Sequence, residues 1–308
     1  MSIGNMQLPL FSGKEKGSFP PPLVRLKEIK GSSPLSLALG EYFRYLSLNY
    51  SSHTAKSFTS DIRLLIRFLG PEKRIEEVST QDLQEFLYWL KERKGQPQSP
   101  KTLSRRVTAL KNFFGWLNQK GIISENPAAR LIYKRATPPL PEILSETECQ
   151  RLILEASKDP RDYLIILLLL ETGLKKAELL NIQEDDIDLS NQYRPEIIIR
   201  HRNPNKQRRL KLPPEFAPTY KAYIKKYNPK EKLFPFSERN LSYILSSLAQ
   251  RAGIKKKVSA QILRDTFAVR QLRQGEDINK VLRKLGLTPG PWSEEAKQKY
   301  LKLAEPAL

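Results

Sequence analysis

The chain has 308 residues, long for a single domain and sufficient for two that each bury a core. Lysine and arginine outnumber aspartate and glutamate by 53 to 33, a formal charge of +20 that is the footprint of a phosphate-backbone binder. The longest apolar run, Leu164 to Leu170, is far below the ~20 residues of a spanning helix, and Cys149 alone excludes an intrachain disulfide.

His53, His201 and Cys149 are too few and too scattered for structural zinc, and no carboxylate cluster suggests another metal. No secretion signal is expected, since no amino-terminal segment of this sequence combines a charged start, a long apolar stretch and a small-residue cleavage site. The expectation is a cytoplasmic, nucleoid-associated protein with no membrane contact, no metal and no cofactor, whose partner is double-stranded DNA.

Residues 1–33 are rich in Pro, Gly, Ser and Lys, carry three prolines at Pro20 to Pro22, and show no periodicity, so they read as an arm. From Leu35 the apolar residues take helical spacing in four groups: Leu39 to Leu46, Phe58 to Leu69, Leu83 to Leu90, and Leu103 to Leu117. Ser99-Pro100 supplies the cap and first turn of the fourth, and Thr80, Asp82 and Gln84 mark the start of the third. A helical bundle is predicted over 34–132. Residues 133–144, with Pro138, Pro139 and Pro141, cannot continue a helix and read as a linker.

A second domain is predicted over 145–308, opening on the capping box of Ser145 and Glu148. Leu164 to Leu170 belongs to a buried helix. The stretch 187–212, with Ile197 to Ile199 and a basic run before Leu212, predicts a small sheet or hairpin. Helical spacing resumes at Leu241. The fold class is therefore mainly α with a small β-sheet or hairpin, in two domains.

Three strings carry the chemistry: TGLKKAELL from Thr172, QILRDTF from Gln261, and QKYLKL from Gln298. The last two place Arg264 and Tyr300 where they can meet on one phosphate. In this order the strings resemble the catalytic domain of the tyrosine recombinases, the phage integrase and Xer family. The family pattern is TGLRxxEL, a hairpin lysine, HxLRH, LGH or a tryptophan equivalent, and then the nucleophilic tyrosine. The segment from Ser99, SPKTLSRR, through Asn126-Pro127 resembles the end of that family's helical core-binding domain.

The resemblance implies that Tyr300 attacks a DNA phosphodiester, leaving a 3′-phosphotyrosine and a free 5′-hydroxyl, with no cofactor consumed. It also exposes departures. Lys175 stands for the first arginine, Gln261 for the histidine before Arg264, Asp265 for the histidine after it, and Leu287 for the histidine of LGH. The transition state spreads charge over two oxygens, which a planar guanidinium meets with paired hydrogen bonds and an ammonium meets as a point charge. Gln261 can donate through its amide and has no proton to trade. Trp292 either offers its indole N–H in place of the lost histidine or packs into the core. For the hairpin lysine, Asn203 occupies the aligned position and Lys206 is the nearest residue able to reach.

Lys101, Arg105 and Arg106 are the predicted DNA contacts of the first domain; Arg105 and Arg106, being adjacent on one helix, are not expected to face the groove together. Arg200, Arg202, Arg208 and Arg209 are expected to touch phosphates without catalysis. Two readings share this fold: a site-specific recombinase with impaired cleavage, or an inactive DNA-binding relative acting as an accessory, architectural or regulatory factor. A third, an unrelated basic helical nucleic-acid binder, requires all the strings to coincide by chance. Assembly is expected on DNA, with further copies of the chain or with a second, competent recombinase.

Overall fold

The computed structural model describes residues 29–92, 98–132, 139–191, 193–201 and 203–305. Most of the predicted arm, half of the linker, and Arg202 lie outside the described residues. The chain divides into two compact units, 1–138 and 139–308.

In the first unit the end of the predicted arm is structured. Ile29 is buried, the carbonyls of Gly31 and Ser33 accept from Glu76 and Ile75, and Pro34 bridges to Arg74. Four helices follow: α1 (Ala38–Asn49), α2 (Ser52–Leu69), α3 (Thr80–Glu92) and α4 (Pro100–Gln119). Ser51 and Ser99 cap α2 and α4 by accepting from Thr54 and Thr102. α3 starts on a reciprocal pair in which Ser79 N donates to Asp82 and Asp82 N donates to Ser79. The faces predicted from helical spacing bury together, with Tyr42, Phe86, Phe113 and Phe114 among the largest enclosed side chains.

In the second unit, α5 (Glu146–Ala156) opens on the Ser145/Glu148 capping box. α6 (Pro160–Thr172) buries every residue from Leu164 to Leu170, because α5, α8 (Phe216–Tyr227) and α10 (Ala260–Arg273) pack around it. α6 ends at Gly173 in the left-handed region (φ 62°), and α7 (Lys176–Leu179) follows at once. The strands β1 (Ile187–Asp188), β2 (Glu196–Ile199) and β3 (Arg208–Lys211) form one antiparallel sheet with Ile197 facing Ile187 on one side and Leu210 on the other. Period-two alternation sends Ile197, Ile199 and Leu210 inward.

α9 (Glu238–Arg251), α10, α11 (Ile278–Lys284) and α12 (Pro291–Ala304) complete the unit. α8 was not anticipated, although Phe216, Tyr220, Tyr223 and Ile224 repeat at helical spacing and three of them are buried. α10, α11 and α12 meet over a small core of Phe267, Ala268, Val281, Leu282, Leu285 and Tyr300. Among the described residues no helix is long and apolar enough to cross a membrane.

Candidate active site

Packing of α12 on α10 brings Tyr300 to Arg264. Both lie in the interior, Arg264 3% and Tyr300 2% exposed. Arg264 donates through Nη1 to the Gly173 carbonyl and through Nη2 to the Leu285 carbonyl at 2.6 Å. These are the capping residues at the C-termini of α6 and α11, where helical carbonyls lack internal partners and the dipole favours a cation. The position demands glycine: a Cβ on Gly173 would strike Phe267 and lie 2.7 Å from Leu285 Cδ2.

Asp265, the residue after Arg264, is 2% exposed and gathers three donors on Oδ1. They are Tyr300 Oη at 3.0 Å, Lys299 Nζ at 2.8 Å and Gln261 Nε2 at 2.9 Å. Lys299 Nζ also lies 4.4 Å from the centre of the Tyr300 ring. Burial raises the Tyr300 phenol well above its ordinary range, the Asp265 carboxylate adds to the rise, and the Arg264 guanidinium, in charge and hydrogen bonding, pulls it back. The tyrosine oxygen is thus held between a cation and a carboxylate. In the sequence Asp265 stands out only as a lost histidine; the signal that it carries is an acidic residue inside the buried face of α10.

Lys175 caps α7 from the outside, its N–H donating to Glu178 Oε2 at 2.9 Å and its Nζ standing 3.9 Å from Glu178 Oε1. Its side chain is 42% exposed. Burial lowers its pKa; Glu178 opposes, and Arg264, Arg208 and Lys206 add to the lowering. The ammonium therefore shares one electrostatic neighbourhood with Arg264 and Lys206. Lys206 ends the short turn Pro204–Lys206 between β2 and β3, half exposed. Asn203, at the expected lysine position, instead accepts from Asn205 N at 3.0 Å and fixes that turn.

Several predicted contacts are placed differently from their sequence reading. Arg208 turns inward, 9% exposed, with Nη1 and Nη2 on the two oxygens of Glu178 at 3.1 and 2.9 Å and Nε on the Lys284 carbonyl at 2.6 Å. Burial works to raise the Glu178 carboxyl, and the Arg208 hydrogen bonds and charge overcome it, leaving its pKa lowered. The inward face of β3 makes Arg208 a scaffold residue. Its neighbour Arg209 points the other way, to Asp188 at 3.0 Å and Glu196 at 3.1 Å.

Arg105 and Arg106, which are not expected to face the groove together, both approach Asp61 of α2. Arg105 holds that carboxylate with two nitrogens, one at 2.9 Å, and Arg106 Nε is 3.8 Å from it. Long side chains reach across the α2/α4 seam from either side of the helix, which overrides the 100° between neighbours. Lys101 is exposed in the first turn of α4. Gln261 spends its amide on Asp265. Leu287 packs on the core around Tyr300. Trp292 sits in the first turn of α12, and its side chain lies outside the described residues.

The family described as phage integrase, N-terminal SAM-like domain, matches residues 39–121, and the phage integrase family matches 142–289. The second match ends before α12, so Tyr300 is located by its contact with Asp265 and Arg264. A tyrosine recombinase of Thermosipho africanus is 31% identical over 248 residues, covering 78% of this chain and 86% of the relative. The tyrosine recombinase XerC of Anoxybacillus flavithermus is 29% identical, covering 82% and 89%. Among solved structures, the XerH site-specific recombinase bound to difH has a similar fold, with a TM-score of 0.69 at 17% identity over 91% of this chain and 94% of that one.

Proposed function

Since the chain belongs to the phage integrase family of tyrosine recombinases, which carry out site-specific DNA recombination, we propose that it cleaves and rejoins duplex DNA through Tyr300, at a rate held down by Lys175 and Gln261. The observation that carries this reading is the Tyr300 hydroxyl, buried beside Arg264 and donating to Asp265 at 3.0 Å.

Arg264 is oriented by the carbonyls of two helix ends, and a guanidinium with five N–H groups can be anchored by two of them and still donate to a phosphate oxygen. Lys175 contributes charge to a second oxygen from the start of α7. Lys206 stands on the hairpin side, where a proton for the departing 5′ oxygen is needed. Glu178 and Arg208 form the strut between α7, β3 and the end of α11 that keeps these cations in register. The partner is double-stranded DNA, gripped chiefly through its backbone, and the active assembly contains more than one protomer on that DNA.

The test uses nicked suicide duplexes carrying the sequence that the protein selects from a randomised pool. A covalent protein–DNA band on a denaturing gel, absent in Tyr300→Phe while that variant still shifts DNA on a native gel, supports the reading. A native shift with no covalent band in the wild type would assign the chain to binding without cleavage.

A further inference from the structure

A phenol attacks phosphorus efficiently only as it loses its proton, so the group that takes that proton is part of the machinery. Neither residue flanking Arg264 at the histidine positions is a histidine here, and Gln261 cannot accept a proton. Asp265 Oδ1 nevertheless lies 3.0 Å from Tyr300 Oη, within the range of direct proton transfer, and the hydroxyl already donates to it.

We propose that Asp265 is the catalytic proton acceptor for Tyr300 in this chain. This rests on Tyr300 being the nucleophile. As Tyr300 Oη forms its bond to phosphorus, its proton passes to Asp265 Oδ1 and the bond from phosphorus to the 5′ oxygen breaks. The 5′ oxygen takes a proton from Lys206, or from water. Rejoining runs the same path backward: the 5′ hydroxyl attacks the phosphotyrosine and returns its proton to the neutral Lys206 amine, or to the hydroxide left when water was the donor, the Tyr300–phosphorus bond breaks, and Asp265 returns its proton to the phenolate.

The surroundings suit a carboxylate that must stay aimed at one oxygen. Lys299 Nζ and Gln261 Nε2 fix Oδ1 from α12 and from the preceding turn of α10, at 2.8 and 2.9 Å. The charged and titratable groups that face Asp265 are Tyr300 and Lys299 from α12 and Arg264 on α10, with Glu178 and Arg208 behind the guanidinium. Lys299 also balances the carboxylate charge next to the phosphate that would enter. A merely structural hydrogen bond would need an acceptor at this position and no base, which is the difference an amide can expose.

The experiment measures covalent complex formation on the suicide duplex against pH for wild type, Asp265→Asn and Asp265→His, with DNA affinity and thermal melting recorded alongside. Asp265→Asn keeps an acceptor oxygen and is expected to lose about 10²-fold or more in rate with unchanged DNA affinity, as removal of a positioned base does. Its residual rate should climb with pH across the range where wild type changes little, because hydroxide then does the work. Asp265→His should recover part of the rate with an inflection near the ordinary imidazole value of about 6.5.

Asp265→Asn cleaving at the wild-type rate with the wild-type pH profile overturns the proposal while leaving Tyr300 as nucleophile. If Asp265→Asn melts early, Asp265→His decides: an unshifted profile overturns the assignment, and a shifted one supports it. A wild type that forms no covalent complex overturns both this proposal and the function on which it rests.

Discussion

Lys175 is the residue at which charge and geometry separate. In the proposed mechanism it stands where a guanidinium would present two parallel donors, and it supplies a single ammonium 3.9 Å from Glu178. Losing one preorganised donor to a developing oxyanion costs about 10²–10³ in rate, and a lysine that keeps the charge recovers part of that. Lys175→Arg is therefore expected to raise the rate of covalent complex formation about 10-fold, with DNA affinity nearly unchanged, in a single-turnover assay. No increase would mean that another residue already fills the second donor role. At this scale the sequence singles out Arg264, Tyr300 and the departures around them, because each sits in a string whose spacing survives, and the structure buries the two side chains together. Asp265 was legible as a change and not as a participant: that it faces Tyr300 depends on how α12 packs on α10, 35 residues away in sequence.

Buried pairing between elements gives the site its rigidity. Glu178 on α7 and Arg208 on β3 bind with two hydrogen bonds, and both side chains are about one-tenth exposed. Removing one partner of such a pair strands the other, so Glu178→Gln is expected to cost about 3–5 kcal/mol at neutral pH. The sign of the pH dependence follows from the lowered Glu178 pKa. Its contribution is complete above the ordinary glutamate value of about 4.3 and is lost as pH falls through the lower folded value. Wild type should therefore lose melting temperature more steeply than Glu178→Gln on acidification below about pH 4.3; parallel curves would show that the pair adds nothing. Helix starts such as Ser145 with Glu148 and Ser99 with Pro100 were readable because a cap is local chemistry. α8 was missed although its aromatic spacing was present, and Arg208 was read as a surface cation because a basic run does not reveal which face of a two-residue alternation turns inward.

A formal charge of +20 governs the molecule's response to salt. Each phosphate neutralised contributes about −0.9 to the slope of log affinity against log salt on duplex DNA. Lys101→Ala, at an exposed position with no cap or core role, should make that slope shallower by about 1 in a filter-binding titration. Arg208→Ala should leave the slope unchanged and lower the melting temperature instead. The reverse pattern would return Arg208 to the DNA surface. Two units of helical character and a small antiparallel sheet were legible because each element carries its own period, and the chain offers four clear helical groups before Pro138. Which cations remain for DNA was not legible, since Asp61, Asp188, Glu196 and Glu178 claim arginines that sequence alone left unpaired.

In the proposed reaction Tyr300 becomes joined to DNA. The most direct measurement is to trap the covalent complex on a suicide duplex, digest it with nuclease and trypsin, and locate the nucleotide by mass spectrometry. A 3′-phosphonucleotide on the peptide containing Tyr300 is the predicted result; a nucleotide on any other residue, or a trapped complex with an unmodified Tyr300 peptide, would contradict it.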